Sequence, residues 1–154
     1  MNAFVHDALQ GLLPANLTAT SALPWIPAAT PGKWAKPLRF LGDRGFVELL
    51  RMTPGTVMPL HRHTGDVHVY TLVGQRQLCT GEIVGAGDYA FEPAGHIDWW
   101  KVVGEEDMLA FAVVMGDVEF LGPGGDVILR ANVESQRAAY QQHCRDHRLV
   151  ARDL

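Results

Sequence analysis

Three of the chain's seven histidines lie within eight residues, in the stretch HRHTGDVHVYTLVG that begins at His61. Neutral imidazole is a ligand for iron, zinc, nickel and copper, so histidines that converge in an apolar interior predict a first-row metal site. His61 and His63 are two residues apart and therefore point to the same face of an extended strand. They are the first two candidate ligands.

The third histidine follows a turn at residues 64–66. We expect this turn to reverse the chain, so that the next strand presents His68, Tyr70 and Leu72 on one face. Such a hairpin would bring three imidazoles to one point. Any one of these histidines alone would more often be an ordinary core or surface residue, but three around a tight glycine turn favour a metal site.

A second polar cluster lies in the stretch GDYAFEPAGHIDWW. After the turn at residues 93–95, His96, Asp98 and Trp100 alternate onto one face, which could bring an imidazole and a carboxylate to the same centre. Glu92, just before the turn, could orient a ligating imidazole or be a solvated turn residue.

If the metal site binds a small-molecule substrate, three residues are candidates for the surrounding pocket. Tyr70, His96 and Trp100 could form its wall and donate hydrogen bonds, and plain core packing is the alternative for the two aromatic residues.

Short apolar runs separated by Gly, Pro and Asp turns begin at residue 38, at spacings typical of antiparallel β-strands. Six to eight such strands predict a barrel or jelly roll over residues 38–131. Residues 1–37, rich in Ala, Thr and Pro, predict an arm that packs on the barrel or on a partner subunit. Residues 132–154 predict a helix from Val133 to Asp146, capped by Asn132, and a tail.

The composition is that of one soluble globular domain: 154 residues, 47% hydrophobic and 19% charged, with a formal net charge of −4. It argues against nucleic acid and anionic membranes as partners. No signal peptide and no run of about eighteen apolar residues is present, so we expect a cytoplasmic protein. Cys79 and Cys144 fit no ligand spacing and are expected to be free thiols.

Two motifs resemble those of the cupin superfamily. The first is Gly55-TVMPL-His61-R-His63-TGDV-His68-VYTLV-Gly74, and the second is Gly87-DYAFE-Pro93-A-Gly95-HI-Asp98. Every glycine and proline of the cupin motifs is in register. The resemblance implies an all-β, RmlC-like antiparallel jelly-roll barrel, here with an N-terminal arm and a C-terminal helix. Small cupins often pair, which implies a homodimer.

Within this superfamily, the chain resembles small cupins of the 2,4'-dihydroxyacetophenone dioxygenase and acetylacetone-cleaving type. The resemblance rests on the stretches GKWAKPLRF, HRHTGDVHVYTL, YAFEPAG and FLGPGGDV. This resemblance implies a non-haem iron, held mainly by histidines, that cleaves a carbon–carbon bond of a small diketone or hydroxyketone with O2. Zinc, nickel or manganese are alternatives to Fe(II). A non-catalytic metal-binding sensor, or a metal-dependent isomerase or decarboxylase, are alternative functions.

Two positions depart from the cupin motifs. His68 stands where Glu is usual, and Asp98 stands where His is usual. Together, His61, His63, His68 and Asp98 still supply three imidazoles and one carboxylate. If His68 does not bind the metal directly, the other three residues form a two-His-one-carboxylate triad, which is typical of O2-activating Fe(II) enzymes. Whether His96 or Asp98 is the ligand of the second motif is left open.

Overall fold

The computed structural model describes residues 15–154. The first part of the predicted arm, residues 1–14, lies outside the described residues. A short 3-10 turn at Thr20–Ala22 precedes twelve strands and one helix. In chain order these are β1 (Ile26–Pro27), β2 (Lys33–Phe40), β3 (Gly45–Met52), β4 (Val57–His63), β5 (Val67–Val73), β6 (Gln75–Leu78), β7 (Ile83–Gly85), β8 (Tyr89–Glu92), β9 (Ile97–Val103), β10 (Met108–Met115), β11 (Val118–Leu121), β12 (Val127–Ala131) and α1 (Val133–Asp146).

The strands form two six-stranded antiparallel sheets, ordered β1-β2-β3-β10-β5-β8 and β12-β11-β4-β9-β6-β7. Alternate residues of each strand face the space between the sheets, where apolar burial stabilises the fold. Met52, Val102, Met108 and Ala110 are completely buried there. The predicted all-β fold of antiparallel strands is confirmed.

Two glycines hold the turns beside the histidine strand. Gly95 has a φ of 88°, a left-handed conformation that favours glycine, and its N–H donates to the carbonyl of His63 at 2.7 Å. A Cβ on Gly65 would lie 2.5 Å from the carbonyl oxygen of Met115. Gly95 is therefore favoured by its backbone conformation, whereas Gly65 is required by the close approach of the neighbouring strand.

The first sheet begins inside the segment predicted as an arm. β1 and β2 precede or cross the expected boundary at residue 37, and β2 pairs with β3 along its length. The sequence of β2, KWAKPLRF, does not alternate regularly between apolar and polar residues, and it contains Pro37 beside an irregularity in the pairing. The sequence pattern therefore did not predict a strand here. Lys36 lies 5.0 Å from the Trp25 ring, and Arg51 lies 5.5 Å from the Trp34 ring, so both tryptophans pack on the body.

The predicted helix and its cap are confirmed. The Asn132 side chain accepts from the Ser135 N–H, and the Ser135 hydroxyl accepts from the Asn132 N–H. Tyr140 is buried with its ring 6.4 Å from that of Phe40, which fixes the helix to β2. Both cysteines are free thiols, as expected. Among residues 15–154 no helix is long and apolar enough to cross a membrane.

Candidate metal centre

β4 places its two histidines inside the barrel. His61 is 3% exposed and His63 is 5% exposed, and their ring centres lie 4.8 Å apart. The pairing of β4 with β9 is irregular between Met58 and His61, so Met58 also faces inward although it is three residues before His61. The strand is regular again from His61 to His63.

The third member of the group is Glu92, which comes from β8 in the opposite sheet. It is 8% exposed, and one of its carboxylate oxygens lies 3.0 Å from His63 Nε2. One ligand atom from each of His61, His63 and Glu92 lies within 4.8 Å of the other two. Two imidazoles and one carboxylate therefore converge in the interior.

The ring nitrogens of both histidines suit a metal ion. His61 Nδ1 lies 2.7 Å from the Pro59 carbonyl, which can only accept, so Nδ1 carries the proton and Nε2 keeps a free lone pair. His63 Nδ1 is buried and has no partner among residues 15–154. Burial lowers the pKa of His61 to about 4, although its hydrogen bond to Pro59 opposes the shift. His61 is therefore neutral at pH 7, the form that binds metals, and these residues fit a divalent cation.

Arg76 supports the carboxylate of this group. It is 1% exposed, its guanidinium lies 3.5 Å from the second Glu92 oxygen, and it stacks over the Trp100 ring at 5.0 Å. Burial alone would raise the pKa of Glu92, but the hydrogen bond to His63 and the charge of Arg76 outweigh it and lower this pKa. Glu92 is thus an ionised carboxylate that can bind a metal ion or orient the imidazole of His63.

His68 does not join the group. The expectation that His68, Tyr70 and Leu72 face the interior is wrong, because β5 turns Val67, Val69 and Thr71 inward instead. His68 Nδ1 lies 2.7 Å from the Tyr89 hydroxyl on the outer face. Tyr70 is 45% exposed on the same face, so it does not line the pocket.

Asp98 faces inward but lies outside the three-residue group. It is 3% exposed, pairs across the sheet with His61, and accepts a 3.4 Å hydrogen bond from the Cys79 N–H. The side chain of His96 is 35% exposed, and its Nε2 lies 3.9 Å from an Asp98 oxygen. A ligand role for Asp98 stays a prediction.

Residues 14–119 match the family model of the ChrR cupin-like domain. The chain belongs to the ChrR cupin-like domain family. This confirms the cupin resemblance drawn from the two glycine-rich motifs. The comparison with curated proteins gave no match.

Solved structures share the fold of this ChrR-like cupin at low identity. An RmlC-like cupin protein from Ralstonia eutropha JMP134 is 24% identical, with a TM-score of 0.84 over 94% of this chain and 95% of that one. An acetylacetone dioxygenase from Acinetobacter johnsonii is 15% identical, with a TM-score of 0.71 over 85% of this chain and 93% of that one. A chain in the complex of Rhodobacter sphaeroides SigE with the anti-sigma ChrR is 18% identical, with a TM-score of 0.52 over 73% and 75%.

The interior of this cupin holds a cavity of about 70 Å³ beside the metal-binding group. Phe46, Leu50, Met58, Val69, Trp100 and Phe120 supply much of its apolar wall. Trp100 was predicted for this role. Two further charged residues, Lys33 and Glu48, also line the cavity, and they carried no motif that could have indicated them.

Proposed function

We propose that the protein is a metal-dependent dioxygenase that cleaves a carbon–carbon bond of a small diketone or hydroxyketone with O2. In this proposal one Fe(II) is held by His61, His63 and Glu92, with Asp98 as a candidate fourth ligand. The observation that carries it is the buried two-His-one-carboxylate group, the donor set of many Fe(II) oxygenases. The fold shared with an acetylacetone dioxygenase supports it.

The chain's own residues prepare this chemistry. The Pro59 carbonyl fixes the tautomer and orientation of His61, and Arg76 holds Glu92 ionised. The apolar wall excludes water from the substrate, and the cavity of about 70 Å³ favours a small ligand, far below the 300–1,000 Å³ typical of drug-sized sites. Fe(II) bound there would supply the ability to bind an enolised ketone and O2 together and to pass electrons between them.

A non-catalytic sensor is the second candidate. The family model carries the name of ChrR, and a chain in the SigE–ChrR complex shares the fold. In that function the same histidines and Glu92 would hold zinc for a structural purpose. A metal-dependent isomerase or decarboxylase would use the same site without consuming O2.

One experiment separates these functions. Protein loaded anaerobically with Fe(II) is mixed with acetylacetone or 2,4'-dihydroxyacetophenone, and O2 uptake and carboxylic acid products are measured. The proposal expects one O2 consumed per bond cleaved, and none with His61→Ala/His63→Ala. A protein that holds stoichiometric zinc and gives no uptake when reloaded with iron favours the sensor. Rearrangement of 2,4'-dihydroxyacetophenone without O2 uptake favours the isomerase, and release of CO2 from a β-keto acid such as acetoacetate without O2 uptake favours the decarboxylase.

We also propose a homodimer that acts in the cytoplasm. The outer face of the first sheet exposes four large aromatic residues, Tyr70, Tyr89, Phe91 and Phe111, at 37% to 59%. An apolar patch of this kind is typical of a surface that pairs. Sedimentation at micromolar concentration should give twice the chain mass of 16.9 kDa, and Tyr89→Glu/Phe91→Glu should give a monomer. The two free thiols favour a reducing compartment.

A further inference from the structure

Two opposite charges enter the cavity from strands that carry none of the proposed metal ligands. Lys33 lies on β2 and Glu48 on β3, and both line the cavity that also contains His61, His63 and Glu92. These two strands belong to the sheet opposite β4. Lys33 and Glu48 therefore line the cavity from the sheet that also carries Glu92, opposite the sheet of His61 and His63.

Among residues 15–154, neither Lys33 nor Glu48 forms an ion pair within 4.0 Å, although each is affected by the other's charge. The Lys33 ammonium lies 3.7 Å from the Met58 sulfur and 5.8 Å from the Phe120 ring centre, both weak contacts for a cation. Among residues 15–154, Lys33 forms no salt bridge and Glu48 accepts no hydrogen bond from a side chain. Placing a charge in an apolar cavity without a partner costs free energy, so this arrangement stabilises the fold less than two apolar side chains would.

The surroundings of Glu48 also set its proton affinity. Burial raises its pKa to about 7, and the charge of Lys33 works against this rise. On the neighbouring strand β10, the residue opposite Glu48 is Ala112, which brings no charge. The charged or titratable side chains that face the same cavity are Lys33 from β2, His61 and His63 from β4, Arg76 from β6 and Glu92 from β8. A carboxylate with a pKa near the working pH is suited to accept and return a proton.

We propose that Lys33 and Glu48 form a substrate-activating pair, in which Glu48 removes the acidic proton of a small diketone or hydroxyketone and Lys33 binds its carbonyl oxygen. This inference rests on the substrate class of the proposed function. The carbon–hydrogen bond breaks, its electron pair becomes the enolate, and the proton forms an O–H bond on Glu48. The Lys33 N–H donates to the oxygen that gains the negative charge. No oxidant is needed for this step.

Enolate formation without O2 tests the pair. Acetylacetone is mixed rapidly with Fe(II)-loaded protein under nitrogen, and the enolate is followed by its ultraviolet absorbance. Glu48→Gln should slow formation about 100-fold, within the range lost with a general base. The wild-type rate should rise with pH through about 7 as Glu48 ionises, and the variant should lose this rise. Lys33→Met should weaken acetylacetone binding about 10-fold, the loss expected for a charge-assisted hydrogen bond.

Matched variants control for charge and folding. Glu106→Gln and Lys101→Met remove the same charges at exposed positions and should leave rate and binding unchanged. Metal content and thermal midpoint are measured for every variant. If Glu48→Gln fails to fold, Glu48→Asp decides, because it keeps the charge but withdraws the carboxylate and should slow enolate formation at least tenfold.

Three outcomes overturn the inference: a Glu48→Gln rate and pH profile equal to the wild type, a full rate in Glu48→Asp, or a wild-type protein that consumes O2 with acetylacetone but forms no enolate. All three leave the proposed oxygenase standing. Glu48-dependent enolate formation in a protein that never consumes O2 would support the pair and contradict the oxygenase, so the two failures are distinguishable.

Discussion

β4 and β5 flank one three-residue turn and both carry histidine, yet they use it in opposite ways. β4 buries His61 and His63 beside Glu92, whereas β5 places His68 on the outer face against Tyr89. The strands do not pair as a hairpin. β4 lies between β11 and β9 in one sheet, and β5 lies between β10 and β8 in the other.

The difference follows from counting residues across the turn. His63 and Val67 both face the core, and they are four residues apart, so odd-numbered positions face inward on both strands near the turn. His68 is even-numbered and faces outward. Spacing within one strand therefore predicts a shared face, but spacing across a turn does so only when the turn's length and the sheet partners are known.

The largest effect expected from this comparison is on metal binding. His61→Ala/His63→Ala should abolish binding of Fe(II) while the barrel stays folded, because two neutral ligands are lost and the apolar core is kept. Metal titration and circular dichroism measure the two results. Full metal occupancy in the double variant would show that β4 is not the ligand strand.

Substitutions on the inward and outward faces of β5 should differ strongly in their effect on the free energy of unfolding. Val69 is 7% exposed and Tyr70 is 45% exposed. Val69→Asp buries a carboxylate without a partner and should lower the free energy of unfolding by about 3 kcal/mol or more. Tyr70→Asp, made in the Tyr89→Glu/Phe91→Glu background so that the proposed dimer does not contribute, should lower it by less than about 1 kcal/mol. Urea unfolding measures both values, and equal losses would mean that the facing of β5 is misassigned.

The comparison of inward-facing with outward-facing side chains extends to β3, where Glu48 is a titratable residue that lines the cavity. Its pKa is about 4.5 in the unfolded chain and is raised to about 7 in the fold. Below pH 4.5 both states are protonated, but between these values only the unfolded chain ionises, so wild-type stability falls as the pH rises. Glu48→Gln lacks this loss and should be more stable than wild type at pH 8 by about 3 kcal/mol. The two proteins should converge near pH 4 in urea unfolding; a constant difference across this range would contradict the shift.

The smallest effect is expected at the outer histidine. His68→Ala removes an exposed hydrogen bond to Tyr89 and should change the free energy of unfolding by about 0.5 kcal/mol or less. Tyr89→Phe removes the same hydrogen bond from the other side and is the matched control. A loss above about 2 kcal/mol in His68→Ala alone would indicate that the imidazole has buried contacts.

The sequence predicted what local patterns determine. Apolar runs between glycine turns predicted the barrel, Asn132 marked the helix start, and the His-x-His pair gave two members of the metal-binding group. Glu92 was considered only as an orienting or turn residue, since its contact with His63 joins opposite sheets. Arg76 was missed for the same reason.

Lys33 and Glu48 were missed because nothing local sets them apart. Lys33 fell in the segment predicted as an arm, and Glu48 sits in an ordinary strand, FVELLRM. Only the sheet order brings both to the cavity.

The central claim is that Glu92, and not His68, completes the metal-binding group of His61 and His63. The affinity for Fe(II), measured by anaerobic titration of the wild type, Glu92→Gln and His68→Ala, tests this claim directly. The geometry predicts that Glu92→Gln weakens Fe(II) binding by about 10- to 100-fold, which is the loss expected even when a residue only supports a metal ligand. His68→Ala should bind Fe(II) as tightly as the wild type does. Loss of affinity in His68→Ala with full affinity in Glu92→Gln would contradict it.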